Sequence, residues 1–431
     1  MIQTLITSLP MLVCLFWSAL LLLDWWEQRT QAKARLLVFM VVAAILYGGH
    51  FIFFNHFYEL MPATDTLYSM ANLAVFPLYY LYIKEVTEAV WRRHWQMTLL
   101  IPALLIGLTA GTLYLMMGHQ EALGFIQMFL YQKSSISSLS NLAQAQAIVH
   151  VSIKILFALQ VLPICIMGVR KIKCFNRMVE TNYADTELRK MYMAKTILVL
   201  FIVACIVSFT VNILGRNFFD KVPLLVLIPS ITFSTLLFLL GYAGHRQNFT
   251  IHDLLLETGN NPMPDAIDLE PPTQKEGDDR IGRLKKQIIQ TMEEQQLFLQ
   301  QDLKINDVAK LLNTNRDYIY QAINMRMGMS FSEYINRLRI NYATRLMEKN
   351  PKMPINEVAA HSGFASQASF YRNFKLYKDC APLAYKRTPK PPLPYPLHSP
   401  LSLSLSSHAF CIASRSASSA PSCSTSFLAR L

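Results

Sequence analysis

The sequence predicts an all-α protein in two parts, a polytopic transmembrane helix bundle of about seven spans followed by a soluble helical domain with an internal repeat. Three observations carry this expectation. Hydrophobic residues make up 52% of the 431 residues and charged residues only 16%, whereas an ordinary soluble domain holds about 25% charged residues. The apolar residues fall into bilayer-length runs that all lie before position 245. The charge lies after them: positions 280–387 hold 18 Lys and Arg against 9 Asp and Glu, and positions 251–279 hold eight acidic residues and one Lys. Such a separation points to lipid around the first block and a polyanion against the basic one. The expected divisions are 1–244, a bundle able to act as a sensor; 245–279, an acidic flexible linker; 280–387, the basic domain; and 388–431, a disordered tail.

A spanning helix needs about 20 residues. Seven runs qualify: Ile2–Leu23, Leu36–Phe54, Leu67–Ile83, Leu99–Met117, Ile148–Val169, Ala194–Leu214 and Leu224–Tyr242, the third being the shortest. The first lacks a basic leader and reads as a retained helix. Alternate loops differ in cations. Asp24–Arg35, Lys84–Met97 and Arg170–Met193 carry twelve Lys and Arg together, and Asn55–Thr66, Gly118–Ala147 and Gly215–Pro223 carry three. The positive-inside rule then puts the N-terminus outside and everything after Ala243 in the cytoplasm. Trp25, Trp26, Trp91 and Trp95 fall at the cytoplasmic ends of spans, where indoles anchor. His150 and Lys154 stand one turn apart in the outer half of the fifth span. Either Lys154 snorkels to the headgroups and His150 lines the bundle, or both border a ligand pocket. His50, Asn72 and Asn212 suit hydrogen bonds between helices.

Gly259, Pro262, Pro264, Pro271, Pro272 and Gly277 sit among acidic and polar residues, the composition of a tether. Thr388–Leu431 is Pro-rich, then Ser-rich, without Asp or Glu, and cannot build a core. The change at Arg387 is abrupt enough to suggest an altered reading frame. The seven cysteines form no C-x-x-C pair and no zinc spacing, so neither disulfides nor a metal site are expected.

Within the basic domain one plan occurs twice, over Ile305–Asn324 and over Ile355–Phe374. In each copy a small residue, Ala309 or Ala359, precedes by four a residue tolerant of positive φ, Asn313 or Gly363. Two helices crossing steeply need a small side chain at their closest approach, and the tight turn between them needs a left-handed residue. Thr314–Asp317 and Ser330–Glu333 read as capping boxes. Pro354 suits a first helical position and Ser366 an N-cap, while Asn350-Pro351 ends a middle helix over Phe331–Lys349. That helix spans about 28 Å. With its flanking turns it matches the roughly 34 Å between successive major grooves on one face of DNA.

These residues resemble the DNA-binding domain of the arabinose-regulator (AraC/XylS) family over about Arg280–Arg387. The most specific stretches are Gly363-Phe364, Phe370-Tyr371-Arg372-Asn373-Phe374-Lys375 and Ala381-Pro382 with Tyr385-Lys386. Met327–Phe331, Tyr334-Ile335 and Arg339-Ile340 look like the family's passage into its central helix. Asn313 and Asp379 depart from it, each standing where Gly is common. The resemblance implies seven helices and direct major-groove readout, in a membrane-bound bacterial member of the family. By family position the base-edge candidates are Asp317, Tyr320 and Gln321 in the first recognition helix, and Gln367, Ala368, Ser369 and Arg372 in the second. Gln pairs with adenine, Arg with guanine, and Ala meets a thymine methyl. Asp317 is equally a capping acid, and Tyr320 equally a packing or phosphate-contacting residue. Arg316, Lys375 and Lys378 are phosphate candidates.

The expected function is a membrane-embedded, sequence-specific transcriptional regulator, of the activator type, that couples a signal at the bundle to DNA. The expected partners are double-stranded DNA, membrane lipid, a small-molecule ligand, a second copy of the chain and the transcription machinery. Two other readings stay open: a membrane-anchored DNA-binding protein whose sensing is done by a partner, and a transporter-like protein with a regulatory tail. The chain lacks G-x-x-x-x-G-K-[ST], H-E-x-x-H and G-x-S-x-G, so neither an enzyme nor a cofactor is expected.

Overall fold

The computed structural model describes residues 2–88, 97–132, 135–187, 189–191, 203, 206–211, 214, 218, 223–258 and 274–387. Trp91, Trp95 and Lys133, most of the expected sixth span, the central part of the expected linker and the tail after Arg387 lie outside these residues. The chain divides into two compact units, Met1–Arg177 with Glu187–Leu256, and Met178–Thr186 with Glu257–Leu431.

The first unit is a bundle of long helices: α1 Ile2–Gln28, α2 Gln31–Phe54, α3 Met61–Thr87, α4 Ile101–Phe125, α5 Asn141–Asn182 and α6 Leu227–Arg246, followed by the short α7 Ile251–Thr258. The last turn of α5 belongs to the second unit. Consecutive helices from α1 to α4 pack side by side, and α6 lies against α1 and α2. Gly241 and Gly244 permit that approach. A Cβ on Gly241 would fall within 2.5 Å of the Trp17 ring, and one on Gly244 would run into Leu36. At one end of the bundle Asp24 of α1 ties both partners, meeting Lys33 at 3.4 Å and His245 at 2.6 Å.

Among the described residues, five helical segments are long and apolar enough to cross a membrane. They cover five of the seven expected spans, the first, second, fourth, fifth and seventh, over α1, α2, α4, α5 and α6. The expected third span does form a helix, α3, of 27 residues. It is too polar to be counted with the others because it packs between α2 and α4 and buries Asp65, Ser69, Asn72, Tyr79, Tyr80 and Tyr82. A helix enclosed by others needs no lipid-facing apolar stripe. The lipid-like faces lie elsewhere. Leu108 and Leu115 on α4, and Leu159 and Leu162 on α5, are among the most exposed large apolar side chains.

The expected outer loop beginning at Gly118 departs most from its reading. Gly118 takes φ 72°, ψ 176° and kinks α4. The chain continues as helix to Phe125 and as a wide turn over Ile126–Tyr131. This cap buries Ala122, Phe125, Ile126 and Leu130 in a core with Phe53, Phe54, Met61 and Tyr114. Tyr131 stacks on Phe53, ring centroids 4.4 Å apart, and donates to its carbonyl. The expected linker from 245 differs too: it opens with α7, whose Ile251 and Leu254 are buried.

The second unit comprises α8 Gln274–Gln295, α9 Ile305–Leu311, α10 Arg316–Asn324, α11 Phe331–Lys349, α12 Ile355–His361, α13 Gln367–Lys378 and α14 Pro382–Arg387. It has two cores on one shared helix. Phe331, Tyr334 and Ile335 of α11 pack with α8, α9 and α10. Ile340, Ala343 and Met347 of the same helix pack with Val358, Phe364, Phe370 and Phe374. Between the cores Arg339, 1% exposed, donates to the carbonyls of Phe298 (2.7 Å), Gln300 (2.6 Å) and Gln301 (3.3 Å). Burial pulls its guanidinium down to about 10, the Asp185 carboxylate opposing, so it keeps its charge at neutral pH.

Candidate nucleic-acid interface

Each of the two expected recognition helices is started by a side chain. Asn315 caps α10, its Oδ1 accepting from the Asp317 amide. The expected capping box began at Thr314, so the cap sits one residue later, and Asp317 pairs instead with Arg316 at 3.3 Å. Ser366 caps α13 through the Ser369 amide at 3.1 Å. The box at the start of α11 is as read, Ser330 and Glu333 bonding reciprocally. Pro354 occupies the N-cap of α12, one position before the expected one.

The turns joining the helix pairs use the two left-handed residues singled out from the sequence, Asn313 at φ 48° and Gly363 at φ 81°. The final helix before the closing segment ends on Asp379 at φ 54°, a left-handed cap made without glycine. Its short carboxylate side chain is among the few that tolerate that backbone.

The expected readers divide by exposure. On α13 Gln367, Ala368, Arg372 and Lys375 are exposed and Lys378 is half-buried. Ser369 is buried, and Asn373 donates to its carbonyl at 2.9 Å, so it braces the helix from within. On α10 Asp317, Tyr320 and Gln321 are half-buried, and Tyr320 packs against the first core, the alternative its sequence reading left open. Leu376 on α13, four residues after Arg372, is 69% exposed and was not among the sequence candidates. On such a helix it is suited to a thymine methyl.

Arg316 differs from the other phosphate candidates. It is 8% exposed and lies in a cleft of about 200 Å³ between α9 and α10, lined also by Asn306, Lys310, Thr314, Asn315 and Asp317. Its Nη1 is buried without a hydrogen-bond partner among the described residues. Asp317, paired with Arg316, balances one of the two cations that line the cleft.

Residues 308–388 match the family described as "Helix-turn-helix domain". Over 85 residues the chain is 34% identical to the Msm operon regulatory protein of Streptococcus mutans, covering 20% of this chain and 30% of that protein. It is 32% identical over 87 residues to the melibiose operon regulatory protein of Escherichia coli (20% and 28%), and 38% over 79 residues to the TCP pilus virulence regulatory protein of Vibrio cholerae (18% and 28%). The C-terminal unit carries an AraC-type helix-turn-helix domain. The chain spans about 30% or less of the length of these relatives, so the likeness is confined to the AraC-type domain. No solved structure matches the chain.

The bundle holds its own polar cluster. Asp65 of α3, 1% exposed, accepts from the Tyr114 hydroxyl of α4 at 2.9 Å and lies 3.0 Å from His150 Nε2 of α5. The rings of Phe125 and Phe129, from the cap after Gly118, flank His150. His150 therefore faces inward, whereas Lys154 is exposed on the outside of its helix. The sequence reading named His150 but missed Asp65, because a carboxylate at the edge of a run looks like a loop residue until the helix is seen to begin at Met61.

Proposed function

We propose that this chain is a membrane-embedded, sequence-specific transcriptional regulator whose AraC-type domain reads DNA with α10 and α13. The observation that carries the reading is the pair of capped helices held on α11, with Gln367, Ala368 and Arg372 turned outward on a domain with a surplus of cations. The exposed leucines of α4 and α5 and the cation distribution of the loops support a multi-pass placement with the AraC-type domain in the cytoplasm. Asp65, tied to Tyr114 and His150 across three helices, supports sensing within the bundle. An ionisable cluster kept inside spanning helices costs stability and marks function more often than scaffolding.

The test uses the full-length chain in membrane vesicles and duplexes it selects from a random pool. Arg372→Ala is expected to weaken binding by about 1–3 kcal/mol, the loss assigned to one or two base pairs. Lys375→Ala is expected to weaken all sequences alike and to lower the salt dependence. Failure to enrich any sequence would count decisively against the regulator. The sensor reading has its own measurement: replacing the bundle by unrelated spans should abolish conditional transcription of a reporter, and normal regulation after that exchange would assign sensing to a partner.

A further inference from the structure

The DNA-binding unit contains a piece of chain that a double helix-turn-helix plan does not require. Residues Met178–Thr186 belong to it, and they are the end and direct continuation of α5. Tyr183 and Ala184 are buried, 1% and 0% exposed, and Ala184 is part of the first core together with Leu303, Ile305, Phe331 and Ile335. The attachment runs mainly through the backbone. Tyr183 forms an antiparallel bridge with Lys304. The Ala184 amide donates to the Leu303 carbonyl at 3.0 Å. Its carbonyl accepts from Ser332 Oγ at 3.1 Å and Asn336 Nδ2 at 3.4 Å. The Tyr183 hydroxyl donates to Glu257, which pairs with Lys304 at 2.7 Å.

These contacts fall on the residues just before α9 and on the first two turns of α11, the frame of the first helix-turn-helix motif. None of them involves the second core or a base-edge candidate. Main-chain pairing of an extended segment supplies affinity, and a small buried side chain such as that of Ala184 fixes its register. Undocking would leave the Leu303 carbonyl and the Ser332 and Asn336 donors to find new partners. It would also free the start of α9 from α11.

We propose that Thr181–Thr186 is an intramolecular docking strap through which α5 sets the DNA affinity of the first motif, the docked state being the DNA-competent one. The seat is formed by Leu303, Lys304, Ser332 and Asn336. This rests on the reading that the AraC-type domain binds operator DNA. The experiment uses the full-length chain in membrane vesicles, a duplex that the unaltered chain selects from a random pool, and methylation interference to map each half-site. Ala184→Asp places a carboxylate in the core and should weaken binding at least tenfold, with the loss confined to the half-site read by α10. Asn336→Leu, altering the seat instead of the strap, should lose the same half-site. Equal loss at both half-sites, or no loss with Ala184→Asp, would overturn the strap while leaving the regulator intact. No selected duplex at all would overturn the regulator and this proposal with it.

Discussion

Gly363 is where one atom decides the fold of the second motif. Its φ is 81°, and a Cβ there would lie 2.7 Å from the Leu299 carbonyl oxygen and 2.8 Å from the Leu299 Cα. Those are backbone atoms and cannot swing aside. Gly363→Ala is therefore expected to destabilise the AraC-type domain by about 2–4 kcal/mol, read from the midpoint of its denaturant unfolding. Asn313, the corresponding residue of the first motif, is exposed, and an Asn side chain tolerates the left-handed backbone, which is why the first turn manages without glycine. Both left-handed positions were legible from sequence, because the demand for positive φ shows in residue type. Arg339 was not. It was noted only for its place in the family pattern, and its role depends on carbonyls from Phe298 to Gln301 about forty residues away in the chain. No local pattern reveals which distant carbonyls will converge on a buried guanidinium.

At the level of elements, what was local was readable. The bounds of α11, Phe331–Lys349, follow from a capping box at one end and Asn350-Pro351 at the other, and the structure reproduces them. The box expected at Thr314 shifted because Asn315, the next residue, is an equally good cap. The cap after Gly118 was hidden because the partners of its apolar residues lie on other helices. The junction of α13 with α11 has a measurable consequence. The Tyr377 hydroxyl donates to the Glu333 carbonyl at 3.2 Å, and burial, reinforced by the Glu333 carboxylate and countered by Arg337, pushes it up to about 12 from 10.0. A proton held more tightly by the folded state stabilises it fully below pH 10 and is lost as the pH rises toward 12. Unfolding free energy of the domain should fall across that window. Tyr377→Phe should lessen the fall, and an identical alkaline loss in that variant would remove Tyr377 as its source.

For the whole molecule, composition alone separated an apolar half from a basic one, and the pattern of loop cations predicts a topology with the basic half in the cytoplasm. Reporters fused within 55–66 should read as external, and reporters within 170–187 as cytoplasmic; the reverse result would overturn the assigned topology. The outward-facing side chains of α13 were also legible, since helical phase follows from the buried Phe370 and Phe374. Less so was Ser369, whose inward turn depends on the exact phase of the cap. The two cores of the AraC-type domain, built on successive stretches of α11, carry a historical implication. On the proposed DNA-reading role, a substitution on the exposed face of α10 or α13 leaves the other helix on its own core, so one half-site holds the chain while the other is rewritten. A lineage built this way can acquire new target genes one half-site at a time, never passing through an ancestor that binds nothing.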